Sequence, residues 1–311
     1  MNYCLFRDIL YETVITLKWL VIKCVSNIIL SISKTYQSEK LIIRLGNIIF
    51  KNTHSDLDSY ESYVKNINPS LKLFNDLFGS DEWCNGKKIL DLGSGLGLWS
   101  DLLVKHANAD VIALDLGFSQ CKFAKKYWHN NNVLLVNGAA ENLPFKVSSI
   151  ETVFSHTVFE HILNVQSALK NVYYILKPDG IFVLNFHFIN HYMGHHLNLY
   201  VNMPWATWVV SEESLCKYFS ERLKTDQENG KILYYPKGSI VKMLKEKNII
   251  QLNKLNYKQF EVMITNCGFE IEKRNTSGAL LKLLPFLKSV FWFDTFLTGT
   301  VNYILRKAMC H

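Results

Sequence analysis

The sequence predicts an α/β protein with a mainly parallel sheet covered by helices on both faces. Two observations carry that prediction: short apolar runs alternate with helical patterns from residue 88 to 186, and a glycine-laden stretch, GKKILDLGSGLGLWS at 86–100, joins the first strand to the first helix of the series. Strands are expected near 88–92, 111–115, 133–136, 151–155 and 181–186, with helices over 98–106, 118–129 and 164–176 between them. Such alternation calls for crossover helices and a buried parallel sheet. Ligands of such sheets bind outside the carboxyl ends of the strands, where Asp91, Asp115 and His156 all fall.

The first strand is read from Ile89, Leu90 and Leu92, apolar residues interrupted by a single carboxylate, Asp91. Gly93, Gly95 and Gly97 then form a tight turn into a helix from about Leu98, and the missing Cβ atoms let backbone N–H groups approach a ligand. Asp115 closes the next apolar run, ADVIALD, where a carboxylate can accept both hydroxyls of a ribose. The glycine spacing alone would also fit a dinucleotide oxidoreductase.

The later signals separate these readings: GAAENLPF at 138–145, ETVFSHTVFEHI at 151–162 and LKPDGIFVLNF at 176–186 follow in order. Over roughly residues 60–186 the chain resembles the class I S-adenosylmethionine-dependent methyltransferases. The resemblance implies a Rossmann-like, seven-stranded sheet whose last strand, over about 301–307, is inserted antiparallel. It also implies S-adenosyl-L-methionine as cofactor. Asp91 with the Gly93-Ser94-Gly95 turn would hold the methionine part, Asp115 the ribose, and Ala140 with its neighbours the adenine. The Ser155 carbonyl would receive the cofactor's ammonium and the His156 ring would meet its carboxylate. Glu160 and His161 match a pair common in the family, read here as fixing the loop after the strand. The chain departs from the family pattern at Ala139, where many members carry an acid for the adenine amino group, at Glu151, where Asp is usual, and at Asp179, where Gly is frequent. Lys177-Pro178-Asp179-Gly180 is expected to be a turn.

Two regions are expected outside this core: a helical amino-terminal cap over 1–80, and an insertion over about 187–255 within a methyltransferase domain of 81–311. The apolar run at 9–31 carries Glu12, Lys18 and Lys23, so neither a bilayer span nor a signal peptide is expected. Lys18, Lys23, Lys34, Lys40 and Arg44 flank an apolar face that would suit either packing or a membrane surface. Tyr60 and Tyr63 are candidate lid residues or ordinary packing tyrosines. The insertion opens with His187, His191, His195 and His196 and the aromatic residues Tyr192, Trp205 and Trp208, which would wall a substrate site. His195, His196 and His187 are the candidate general bases, since an unperturbed imidazole titrates near pH ~6.5. Structural histidines are the competing reading, and a metal site is disfavoured by the lack of a nearby carboxylate and by Gly194. Ser211 is a candidate helix cap, a helix should end at Gly268, and a strand should cover 269–273.

Of the 311 residues 49% are apolar, and the net charge of +7 is not gathered into one basic block, which argues against both disorder and a nucleic-acid partner. The seven cysteines form no close pairs, as expected of a reducing cytoplasm, with peripheral membrane contact left open. The functional expectation is therefore methyl transfer to a small or lipid-like hydrophobic acceptor, by O-methylation. An N- or C-methyltransferase, or a non-catalytic methyltransferase-like subunit, is the alternative, and the oligomeric state is left open.

Overall fold

The computed structural model describes residues 3–50, 79, 81–127, 132–186, 188, 200–229, 253, 255–276 and 301–308. The chain divides into two compact units, one of residues 1–63, 189–252 and 277–299, the other of 64–188, 253–276 and 300–311. The amino-terminal helices and the insertion, expected as separate additions, thus fall in one unit.

In the larger unit the strands are β1 (Lys88–Leu92), β2 (Asp110–Asp115), β3 (Val133–Asn137), β4 (Ile150–His156), β5 (Leu176–Phe186), β6 (Phe269–Thr276) and β7 (Val301–Lys307). They form one seven-stranded sheet in the order β3-β2-β1-β4-β5-β7-β6. The first five pair in parallel, and β7 lies antiparallel to both β5 and β6. Period-two alternation sends β1 side chains to opposite faces. Leu90 and Leu92 join the core with Val153, Phe182 and Leu184, whereas Ile89 packs with Leu102, Leu103, Phe154 and Val183. The helix after β1, Leu98–Ala107, supplies Leu102 and Leu103 to that second face. Helices Val165–Ile175 and Tyr257–Asn266 cover the first. Asp91 shares its strand parity with Ile89 and so turns toward the Leu98–Ala107 helix. In chain order the helices are α1 (Tyr3–Ile32), α2 (Tyr36–Ile49), α3 (Leu98–Ala107), α4 (Phe118–Tyr127), α5 (Val165–Ile175), α6 (Glu212–Glu228) and α7 (Tyr257–Asn266).

The expected turn at 177–180 proves to be an interruption inside a longer strand. Ile150 pairs with Leu176 and Thr152 with Ile181, so one intervening residue on β4 faces four on β5. Asp179 takes φ 59°, and a Cβ on Gly180 would sit 2.8 Å from the Lys177 carbonyl. The turn geometry was readable from Pro-Asp-Gly, but the resumption of pairing on either side was not. Strand β6 likewise runs to Thr276 rather than Lys273, because β7 gives it a full antiparallel partner.

The smaller unit has a core of its own. Trp19 of α1 meets Trp205 and Trp208 edge-on, with centroids 5.6 and 6.4 Å away. Trp205 is buried, at φ 49°, so it packs the core and does not wall a substrate site as expected. Gly46 of α2 allows close approach: a Cβ there would lie 2.8 Å from the Met203 Cβ. The Asn47 amide donates to the Tyr200 carbonyl at 2.7 Å, and its oxygen accepts from Asn202 N at 2.7 Å. Ser211 caps α6 as expected, accepting from Ser214 N, while Glu39 of α2 accepts from both Ser211 N and Ser211 Oγ. The expectation that charges rule out a bilayer span is corrected on one ground. Thr13–Ile32 is continuous helix, long and apolar enough to cross a membrane by length and composition, because two lysines in twenty residues stay within that limit.

Candidate functional site

The carboxyl ends of β1, β2 and β4 carry the site. The chain leaves β1 through a turn in which Gly93, Gly95 and Gly97 all have positive φ, 78°, 53° and 79°. At Gly93 the requirement is also steric, since a Cβ would lie 2.3 Å from Val158 Cγ2. At Gly95 a Cβ would meet nothing within 4 Å, which leaves open space directly over the turn. The Gly93 and Ser94 amides both donate to the Leu114 carbonyl, at 2.7 and 3.0 Å, so the turn is anchored to β2.

Asp91 is buried, and its Oδ2 accepts from Ser100 Oγ of α3 at 2.5 Å. Burial pushes its carboxyl up to about 7, the Ser100 hydroxyl opposes that rise, and the charge of Asp115 adds to it. Asp115 is half-buried at the end of β2, with Oδ2 accepting from Gly95 N at 2.8 Å and Oδ1 from Gly117 N at 2.7 Å. Its carboxyl is also raised by burial, against the pull of those two N–H groups. Each oxygen keeps a second lone pair, so the carboxylate still has acceptor capacity for hydroxyls. Asn137 of β3 fixes the following turn by donating to the carbonyls of Asp115 and Leu116, at 2.9 and 3.0 Å.

The adenine-side residues lie on a loop held from behind. Ala140 is buried, Ala139 bridges to Asn142, and Asn171 of α5 donates to the Glu141 carbonyl at 2.6 Å. Phe145 packs against the core and Pro144 is exposed. Ser155 is fully buried and spends its hydroxyl on the Leu92 carbonyl at 3.0 Å, tying β4 to β1. The His156 ring lies 4.6 Å from that of Trp99, with Nδ1 3.2 Å from Thr157 Oγ1. The three candidate bases His187, His195 and His196, together with His191, Tyr192, Tyr60 and Tyr63, lie outside the described residues.

Several groups escaped the sequence reading. Leu116 and Phe118, 75% and 64% exposed, put apolar surface beside Asp115; two exposed apolar residues just after a strand-end acid were the available signal. Trp99 walls His156, although a Trp in the first turn of a helix looks like packing. The loop after β4 is fixed by Asn253, whose amide donates to the Phe159 and Ile162 carbonyls at 2.6 and 2.8 Å. Glu160, expected to help fix that loop, is fully buried, neither carboxyl oxygen has a hydrogen-bond partner among the described residues, and burial pushes it up to about 8. No local pattern announces Asn253, which is distant in sequence. Among the described residues there is no cluster of three or more His, Cys, Asp or Glu suited to a metal.

The arrangement fits the expected cofactor. Open space over Gly95 admits a ligand against the backbone, the buried Ser94 hydroxyl has no hydrogen-bond partner among the described residues, and two carboxylates flank the turn. Residues 90–184 match the family described as a methyltransferase domain. Among curated proteins, the biotin biosynthesis bifunctional protein BioHC of Cellvibrio japonicus is 37% identical over 93 residues, 30% of this chain and 18% of that one. An uncharacterized protein of Methanocaldococcus jannaschii is 26% identical across 79% of this chain and 84% of its own length. Demethylmenaquinone methyltransferase of Staphylococcus haemolyticus is 35% identical over 32% of this chain and 42% of its own. The chain thus spans under half the length of the first and third of these relatives. The matched stretch holds the glycine turn set between Asp91 and Asp115, in a parallel sheet closed by an antiparallel β7, and over that stretch the chain is similar to the S-adenosylmethionine-dependent methyltransferases.

Proposed function

We propose that this protein transfers a methyl group from S-adenosylmethionine to the oxygen of a small or lipid-like hydrophobic acceptor. The observation that carries the cofactor half is the pair of strand-end carboxylates, Asp91 and Asp115, on either side of a backbone surface open at Gly95. The bound cofactor supplies a methyl carbon already activated by its sulfonium, so the chain's work is placement and proton removal. Asp115 would hold the ribose, Asp91 would face the methionine end, and the His156–Trp99 pair would shape that end of the site. With the cofactor held there, the chain would set an acceptor hydroxyl in line with the activated methyl, and an imidazole of His195, His196 or His187 would take the hydroxyl proton. The acceptor class is supported by the concentration of imidazoles and aromatic rings that follows β5 in the sequence.

Calorimetric titration tests the cofactor half. Asp115→Ala should weaken S-adenosylmethionine binding by ~1.5–3 kcal/mol through loss of a charged acceptor; undiminished affinity in a folded variant sinks the assignment. The pH dependence has a definite sign. Asp91 in the free protein is half protonated near the value of about 7 to which burial raises it, and an ammonium beside it favours the carboxylate. Affinity should therefore fall as pH drops below about 7, with proton release on binding. For the acceptor half, labelled cofactor added to native extracts with mass spectrometry of the products identifies the molecule that gains mass. Full transfer to its hydroxyl by each of His187→Ala, His195→Ala and His196→Ala would remove the imidazole base, and a methylated carbon or amine would replace the O-methylation reading.

A further inference from the structure

Helix α1 has two faces of opposite commitment. One is built into the smaller unit: Trp19 and Ile22 are buried in its core, Ser26 donates back to the Ile22 carbonyl, and Lys23 Nζ donates to the Trp208 carbonyl at 2.6 Å. Lys18 Nζ is likewise directed to the Ile49 carbonyl, at 3.4 Å. Both lysines that interrupt the apolar run in sequence thus sit off the apolar stripe, and Lys18 stays exposed. The other face is apolar and exposed: Val14 40%, Leu17 58%, Leu20 48%, Val21 57%, Ile28 63% and Ile32 81%. Val14, Leu17, Val21, Cys24 and Ile28 follow the three-and-four spacing of a single helical stripe, and no charged side chain belongs to it.

We infer that this stripe is a membrane-contact surface, on which α1 lies in the interface of a bilayer containing anionic lipid. A span is disfavoured because burying all sides of α1 in lipid would strip Trp19 and Ile22 from their core. A second copy of the chain is the other natural occupant, and two observations stand against it. At these exposures the six side chains offer on the order of 600 Å² of surface, below the ~800 Å² per partner of a stable interface. The flanks also lack the opposite charges that set helix pairing: from Thr13 to Ser38 the sequence contains no acidic residue, and its charges are Lys18, Lys23 and Lys34. Two such helices would face each other with like charge. A bilayer needs no complementary shape, takes up apolar area in proportion to its size, and when anionic gains from a uniformly basic segment.

The test is flotation of the full chain with vesicles of phosphatidylcholine alone and of phosphatidylcholine with phosphatidylserine. The wild type should float with the anionic vesicles and less with the neutral ones. The triple variant Leu17→Gln, Val21→Gln, Ile28→Gln changes only exposed positions, and should keep its circular dichroism and melting temperature while losing about tenfold or more of the binding. Four results overturn the proposal: no flotation of the wild type with either vesicle, equal flotation of the folded triple variant, a dimer in light scattering that the variant abolishes without any flotation, or resistance of the bound wild type to alkaline carbonate, which would mark a span.

Discussion

The two ends of the same sheet use carboxylates in opposite ways. At the amino ends of the parallel strands a groove of about 690 Å³ is lined by Lys87, Glu151, Lys177, Asp179, Glu272 and Arg306 among others. There Glu151 pairs with Lys177 at 3.0 Å and accepts from Lys88 N, and these contacts hold its carboxyl below the ordinary range. Arg306 pairs with Glu272 and donates to the Asp179 carbonyl, and its own ionisation is pushed up by that carboxylate. At the carboxyl ends Asp91, Asp115 and Glu160 are all raised, each chiefly by burial, and no cation among the described residues opposes that rise. Charges compensated within the chain mark a surface that is finished without a ligand. Acids held uncompensated by burial mark an end where something else must bring the partner.

The largest expected effect comes from Gly93→Ala. A Cβ there meets Val158 at 2.3 Å on a backbone with φ 78°, so the turn must shift. A loss of ~2–4 kcal/mol in stability, with cofactor binding abolished, is expected from combined overpacking and strain; a variant that melts and binds as wild type would show that the turn does not define this end.

Glu160 sharpens the contrast through pH. Its folded carboxyl is raised from the ordinary 4.5 to about 8, so between those values the unfolded chain releases a proton that the folded chain keeps. Stability contributed by this group is full below 4.5 and is lost as pH rises to about 8. Glu160→Gln should remove that slope, a difference on the order of a few kcal/mol between the two limits. The slope contributed by Asp91, which has the same sign and ends near 7, remains. Urea unfolding across the pH range reads both, and an unchanged slope in the variant would mean that Glu160 is ionised in the folded protein.

The smallest effect should be at the amino end. Lys177→Ala breaks an ion pair whose partners are 47% and 41% exposed, so after solvent screening the cost should be ~0–1 kcal/mol, with cofactor affinity unchanged in calorimetry. A marked loss of affinity would join the two ends energetically and break the comparison.

This contrast was only half readable from sequence. Strand β1 lies where the pattern put it, because an apolar run bounded by glycines fixes its own ends, and β7 covers the stretch that the family resemblance implied. Asp91 and Asp115 were legible through position, at strand ends beside glycines. Their condition was not: the Ser100 hydroxyl that reaches Asp91, and the two glycine amides that hold Asp115, depend on the turn's closed geometry. Glu160 was read as half of a pair that fixes the loop after β4, and only packing reveals that it is enclosed. Trp205 failed as a pocket wall for the converse reason, since an aromatic residue after a sheet reads alike whether it faces a ligand or another tryptophan.

Glu39 caps α6 through Ser211, a contact between residues 172 positions apart. In the time order of synthesis this means that α1 and α2 leave the ribosome with their core partners still unmade. At ~5–20 residues per second the wait is roughly ten to thirty seconds. Strand β5 waits as well, since the strand that covers its edge, β7, is among the last pieces of this sequence to be translated. During translation of this stretch an apolar helix therefore stays uncovered until Ser211 has emerged, and the edge of β5 stays open from Phe186 to Val301. Chaperone demand should be governed by translation speed between residues 50 and 211 rather than by the stability of the finished protein.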